Sequence, residues 1–162
     1  MIQSSRGFQE PYVRQLTFFL QNKVGEIGDV LRTFRAENIV VHALSVLDSF
    51  DFAVVRMVVD KTDKCLRILK DAGLSASENS LIGVQLPDDG SSLLDLCRAL
   101  LSAELNLHTM YPLLTRPGGQ GVILIYVDNP DLGVEILDQR GFRIIGHAEL
   151  RDPNDDTERG AW

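Results

Sequence analysis

The chain has 162 residues, 44% of them hydrophobic and 24% charged, with a formal net charge of −7. No apolar run approaches the ~20 residues of a membrane span, and Met1 to Glu10 carries no apolar leader core, so a cytoplasmic globular protein is expected. Residues 1–86 hold ten basic and ten acidic residues, whereas 87–162 hold six against thirteen, and that acidic half argues against nucleic acid as a partner; with no apolar span, no membrane partner is expected either.

The first eleven residues and the last dozen, 151–162, are polar and read as flexible tails. Val13 to Leu20, rich in β-branched and aromatic residues, predicts a strand that breaks at Gln21 to Gly25. Ile27, Val30, Leu31 and Phe34 recur at helical spacing, which predicts an amphipathic helix over 26–37. Ile39 to Leu47 and Phe52 to Val59 are strands joined by the turn Asp48 to Asp51. Lys61 to Ala72 reads as a second helix stopped by Gly73, and a fourth strand follows at about Ser75 to Ser80. The order then recurs: strand Leu81 to Leu86, helix Ser92 to Ala103, strands Leu105 to Leu114 and Val122 to Val127, helix Pro130 to Gln139, strand Phe142 to Leu150.

The recurrence is visible residue by residue. At an offset of 66, Ile27, Val30, Phe34, Ile39, Val41 and His42 fall on Leu93, Leu96, Leu100, Leu105, Leu107 and His108. Past the next hairpin the offset is 68, and Val59, Asp60, Leu69, Gly73 and Leu74 fall on Val127, Asp128, Leu137, Gly141 and Phe142. Each copy is β-α-β-β-α-β, the ferredoxin-like order, so the expected fold class is α+β: two sandwiches in tandem, antiparallel sheets with helices on one face. Their expected bounds are 12–80 and 81–150, with almost no linker between them. Units of roughly 70 residues are marginal alone and should lean on each other.

A sheet with one wet face should alternate apolar and polar residues, yet Val40, Leu44 and Val46 oppose Ile39, Val41 and Ala43, and Val122 to Val127 is apolar on both faces. The second face must meet the sister repeat, another chain or both, which points to a homodimer.

The corner Asn22-Lys23-Val24-Gly25-Glu26-Ile27 ends a strand and opens a helix, where outward amide hydrogens favour a carboxylate. The competing reading is that Asn22 caps the turn and Gly25 merely permits it. His42 and His108 fall mid-strand on the helix-free face and read as interface or pocket-lining residues, and His147 as a residue of the last strand. Cys65 and Cys97 lie on apolar helix stripes without metal-like spacing and read as buried packing residues. Arg56, matched by Leu124, should sit in an interfacial ion pair. No catalytic triad is visible, Gly118-Gly119-Gln120-Gly121 reads as a hairpin turn, and no cofactor or metal is implied.

A βαββαβ unit whose first loop reads Asn-x-x-Gly, followed by Ile27 to Phe34 and a strand opening Glu37-Asn38-Ile39-Val40-Val41, resembles the ACT domain. The resemblance covers residues 12–150 in two copies. It implies a stand-alone regulatory protein that binds a small amino acid at an interface between two such domains and acts on a partner enzyme or regulator. It further implies a pocket built by Asn22, Val24, Gly25, Glu26 and Ile27 and completed by the other repeat. The second copy departs from the pattern, reading Pro87-Asp88-Asp89-Gly90-Ser91-Ser92-Leu93. Asp88, Gly90, Ser91, Ser92 and Leu93 are its candidates: either the two loops hold opposite ends of one zwitterion, or only the first repeat binds. A regulatory subunit resembling that of acetolactate synthase is the chief alternative, against which the 68-residue correspondence in the second half counts. An acylphosphatase-like enzyme is disfavoured because Lys23 is the only cation in the first loop.

Overall fold

A computed structural model describes residues 11–21, 23, 25–87 and 92–150. The first copy comprises β1 (Val13–Gln21), α1 (Glu26–Ala36), β2 (Val41–Asp48), β3 (Phe52–Val59) and α2 (Thr62–Asp71). One long strand, β4 (Ala76–Leu86), leads into α3 (Ser92–Ser102), β5 (Leu107–Pro112), β6 (Gly121–Val127), α4 (Pro130–Gln139) and β7 (Arg143–Ile145). Short 3-10 turns at Pro117–Gly119 and His147–Leu150 complete the described chain.

β4 is the hinge of the architecture. Its first half pairs antiparallel with β1, from Phe18↔Ala76 to Val13↔Leu81, and its second half pairs with β6 and β7. All seven strands therefore form one sheet, ordered β2-β3-β1-β4-β6-β5, with β7 beside β4. Ala76 faces the helices of the first copy while Ile82 and Val84 face those of the second, so even-numbered residues of β4 point to helices throughout. Leu81 points the other way, into a core shared by both copies.

Three cores result. Phe18, Phe34, Met57 and Leu69 fill the first helix-to-sheet layer, and Ile82, Leu96, Ile125 and Leu137 fill the second. Between them the sheet curls on its helix-free face, bringing Val13, Ala43 and Val58 against Tyr111, Leu113 and Leu124. The Leu114 N–H donates to the His42 carbonyl at 2.7 Å, tying the far ends of the sheet together. On the helix-free face Ala43 of β2 and Val122 and Leu124 of β6 are thereby buried in the core shared with the sister repeat, whereas Leu47 stays exposed.

The duplication persists in backbone detail. Asn38 and Glu104 both take φ 54°, closing the helix C-termini at equivalent positions, and Gly73 and Gly141 do the same at φ 78° and 83°. Val40 N–H donates to Asp60 at 2.9 Å, and Asn106 N–H donates to Asp128 at 3.2 Å. His42 and His108 each lie where the register of the sheet slips, the mark of a β-bulge.

The end of the chain departs from expectation. Only Arg143–Ile145 of the anticipated last strand pairs; the chain then turns, so His147 belongs to a 3-10 turn. Its Nδ1 accepts from the Arg14 N–H at 3.1 Å, and its own N–H donates to the Tyr12 carbonyl at 3.2 Å. Those bonds replace the ladder that continued pairing would supply. Cys65 is buried as expected, with its thiol pushed up to about 12 by desolvation, but Cys97 is exposed because it lies off the stripe of Leu96, Ala99 and Leu100. The tails and the corner residues Asn22, Val24, Asp88, Asp89, Gly90 and Ser91 lie outside the described residues.

Candidate functional site

The corner before α1 is built by Gly25. It takes φ 94°, ψ −12°, a left-handed conformation that costs a side-chain-bearing residue roughly 1–2 kcal/mol. The Asp29 N–H donates to the Gly25 carbonyl at 3.0 Å, starting the helix, and no side chain among the described residues caps that start. Glu26 and Asp29 lie in the first turn, where the helix end favours negative charge. Ile27 packs on the first core, and a Cβ placed on Gly25 would meet nothing within 4 Å. The residue is required by conformation, and the space around it is open.

Around this corner the sheet exposes apolar side chains. Phe52, the cross-strand partner of Gln21, meets Phe19 edge-to-face with ring centroids 5.5 Å apart. Phe19 is 51% exposed, Leu47 58%, and Phe50 wholly so. Phe19, Leu47 and Phe52 continue, on the same face, the row that the sister repeat buries at Ala43 and Val58.

The second repeat does not close over this corner. Among the described residues no hydrogen bond, ion pair or shared core joins 23 or 25–27 to 81–150. The reason is the antiparallel pairing of β1 with β4: β1 runs from Leu81 toward Ala76 and on to the corner, while β4 runs the opposite way to Leu86. Roughly 30 Å of strand separates Ala76 from Leu86. Gln21 therefore lies beyond Ala76 and Pro87 beyond Leu86, at opposite ends of β4. Ser92 opens α3 half-buried and Leu93 is exposed.

The histidines matched by the repeat have parted company. His42 is 4% exposed, with Nδ1 2.8 Å from the Thr115 hydroxyl, so it lines the contact between copies. His108 is exposed beside Tyr126, ring centroids 5.7 Å apart. Among the described residues no three His, Cys, Asp or Glu converge as metal ligands do. Among the described residues Arg56 forms no ion pair with a carboxylate; it stands between Ser45 and Thr17 in one cross-strand row.

Sequence reasoning missed a polar link inside the shared core. The Tyr111 hydroxyl donates to Gln15 Oε1 at 2.6 Å, both residues buried, and burial pushes the phenol well above its ordinary pKa. Gln15 shares a face with the buried Val13, a polar side chain in a core position that signals a partner without naming it.

The family model for an ACT domain pair matches residues 12–152. The chain belongs to that family. Protein BT0572 from Bacteroides thetaiotaomicron superposes with a TM-score of 0.78 at 24% identity, covering 86% of this chain and 95% of that one. The ligand-free regulatory subunit of aspartate kinase from Thermus thermophilus gives 0.57 at 12% identity, covering 78% and 91%, and that from Thermus flavus 0.52 at 12%, covering 79% and 92%. At such identities the likeness is one of fold. No curated protein matches the sequence. An ACT pair is a regulatory architecture, and no helix among the described residues is long and apolar enough to cross a membrane.

Proposed function

We propose that this ACT pair is a non-catalytic regulatory protein that binds a small amino acid at an interface between ACT domains, with the Gly25 corner as the gripping element. The observation that carries the reading is a left-handed glycine, open to space, at a helix start with no side-chain cap among the described residues and only a long 3.4 Å bond from the Glu26 N–H to the Lys23 carbonyl. A ligand carboxylate would meet outward amides there, each worth about 0.3–1 kcal/mol in the open and more when desolvated. Asn22 and Val24 flank that position, Glu26 can receive an ammonium group, and Ile27 offers apolar surface.

The second wall would come from another copy of the chain, since no described residue of 81–150 bonds to residues 23 or 25–27. The exposed Phe19, Leu47 and Phe52 beside the corner suit burial in such a homodimer. Asp88, Gly90, Ser91, Ser92 and Leu93 would form a separate and weaker site. Ligand bridging two domains favours the arrangement that brings them together, and a partner enzyme or transcription regulator would read that shift.

The same exposed apolar residues favour a second reading, a subunit that regulates a biosynthetic enzyme, such as acetolactate synthase, by protein contact alone. A thermal-shift screen against the twenty amino acids separates them: at 100 times its dissociation constant a ligand stabilises by ~2.7 kcal/mol. The shift should vanish in Gly25→Val, and a flat screen with the wild-type chain favours the contact-only subunit.

A further inference from the structure

A cavity of about 340 Å³ opens on the inner face of the sheet, at the end of β7. Gln85, Pro117, Arg143, Ile145, Ala148 and Glu149 line it, with the Arg143 and Glu149 side chains open to solvent. None of these residues belongs to either corner described above. Gln85 and Arg143 are cross-strand partners, as are Gly83 and Ile145, so β4 and β7 fix their positions. Glu149 comes from the 3-10 turn, which is anchored by the bonds of His147 to Tyr12 and Arg14 and by the buried Leu150. The wall is thus part of the folded body.

The charges decide what fits. The Arg143 guanidinium is 3.5 Å from the Glu149 carboxylate, longer than the 2.7–2.9 Å of a close charge-assisted bond. A simple anion drawn to Arg143 would be repelled by Glu149, and a simple cation drawn to Glu149 would be repelled by Arg143. A molecule carrying both charges satisfies both, and the volume lies in the range of small-ligand pockets.

We propose that this cavity is a second ligand site that takes a free α-amino acid, its carboxylate on Arg143, its ammonium on Glu149 and a modest apolar side chain against Ile145. It goes beyond the Gly25 reading and stands without it. The first repeat cannot build a counterpart: the positions matching Gln85, Arg143 and Ile145 are Phe19, Ser75 and Ser77, and β4 runs on where the 3-10 turn would start. One such site per chain follows.

Amide spectra of the 15N-labelled full chain, titrated with each of the twenty amino acids, test this. At least one amino acid should shift the amides of Gln85 and Ala148 saturably, and Arg143→Gln and Glu149→Gln should each weaken that response about tenfold or more. The matching carboxylic acid without its amino group should leave both amides unmoved. Silence of Gln85 and Ala148 toward all twenty, or an equal response to the amine-free acid, overturns the proposal. The Gly25 amide is read in the same spectra, so failure of the corner and failure of this cavity are seen separately.

Discussion

Glu104 holds φ 54° with its N–H on the Leu101 carbonyl at 3.0 Å, in the conformation that glycine adopts at Gly73 and Gly141. Left-handed backbone costs a side-chain-bearing residue about 1–2 kcal/mol, and the extra freedom of an unfolded glycine returns part of that. Glu104→Gly should therefore raise the unfolding free energy by about 0.5–1 kcal/mol in urea titrations. Tyr111→Phe should do the reverse: it leaves the buried Gln15 Oε1 without its donor, a loss of about 1–3 kcal/mol by the same measurement. At this scale the sequence was half legible. Gln15 was not singled out, since its partner is 96 residues away and no local pattern points there. The Gly25 turn was readable from Asn-x-x-Gly because a left-handed corner restricts residue type; what lies opposite it depends on strand direction, which only pairing reveals.

Arg14 couples three elements. Its guanidinium binds Glu78 of β4 at 2.6 Å and Asp63 of α2 at 2.7 Å, and the Arg14 charge holds the Asp63 carboxyl below its ordinary pKa. A carboxylate with a lowered folded pKa adds stability above its unfolded value, about 3.9, and loses it as pH falls through the folded value. Wild-type stability should fall as pH drops below about 4, and Asp63→Asn should flatten that limb, followed by circular dichroism at fixed urea. Both helices of each copy and the long β4 were legible, since apolar spacing declares them. The last strand was not. Phe142 to Leu150 is apolar enough to pair, yet bonds from His147 to Tyr12 and Arg14, 135 and 133 positions earlier (147 − 12 and 147 − 14), turn the chain after Ile145.

At the scale of the molecule, the two copies share a strand and a core, so neither has a complete sheet without the other. The boundary expected between residues 80 and 81 falls inside β4, and Val13, Ala43 and Val58 of the first copy are buried by Tyr111, Leu113 and Leu124 of the second. Units of this size bury too little surface to be secure alone, and the shared core supplies what each lacks. Heat should therefore unfold the chain in one cooperative transition whose calorimetric and van't Hoff enthalpies agree. Leu124→Ala removes a fully buried side chain from the shared core, and a loss of about 2–5 kcal/mol is expected. The loss should lower that single transition and weaken amide-exchange protection in β1 and β6 alike. Two resolved transitions, with only the β6 half affected, would mean the copies fold as independent bodies that merely touch. Because the Gly25 corner is rooted in β1, the ligand proposed there would be coupled to the second copy through β4.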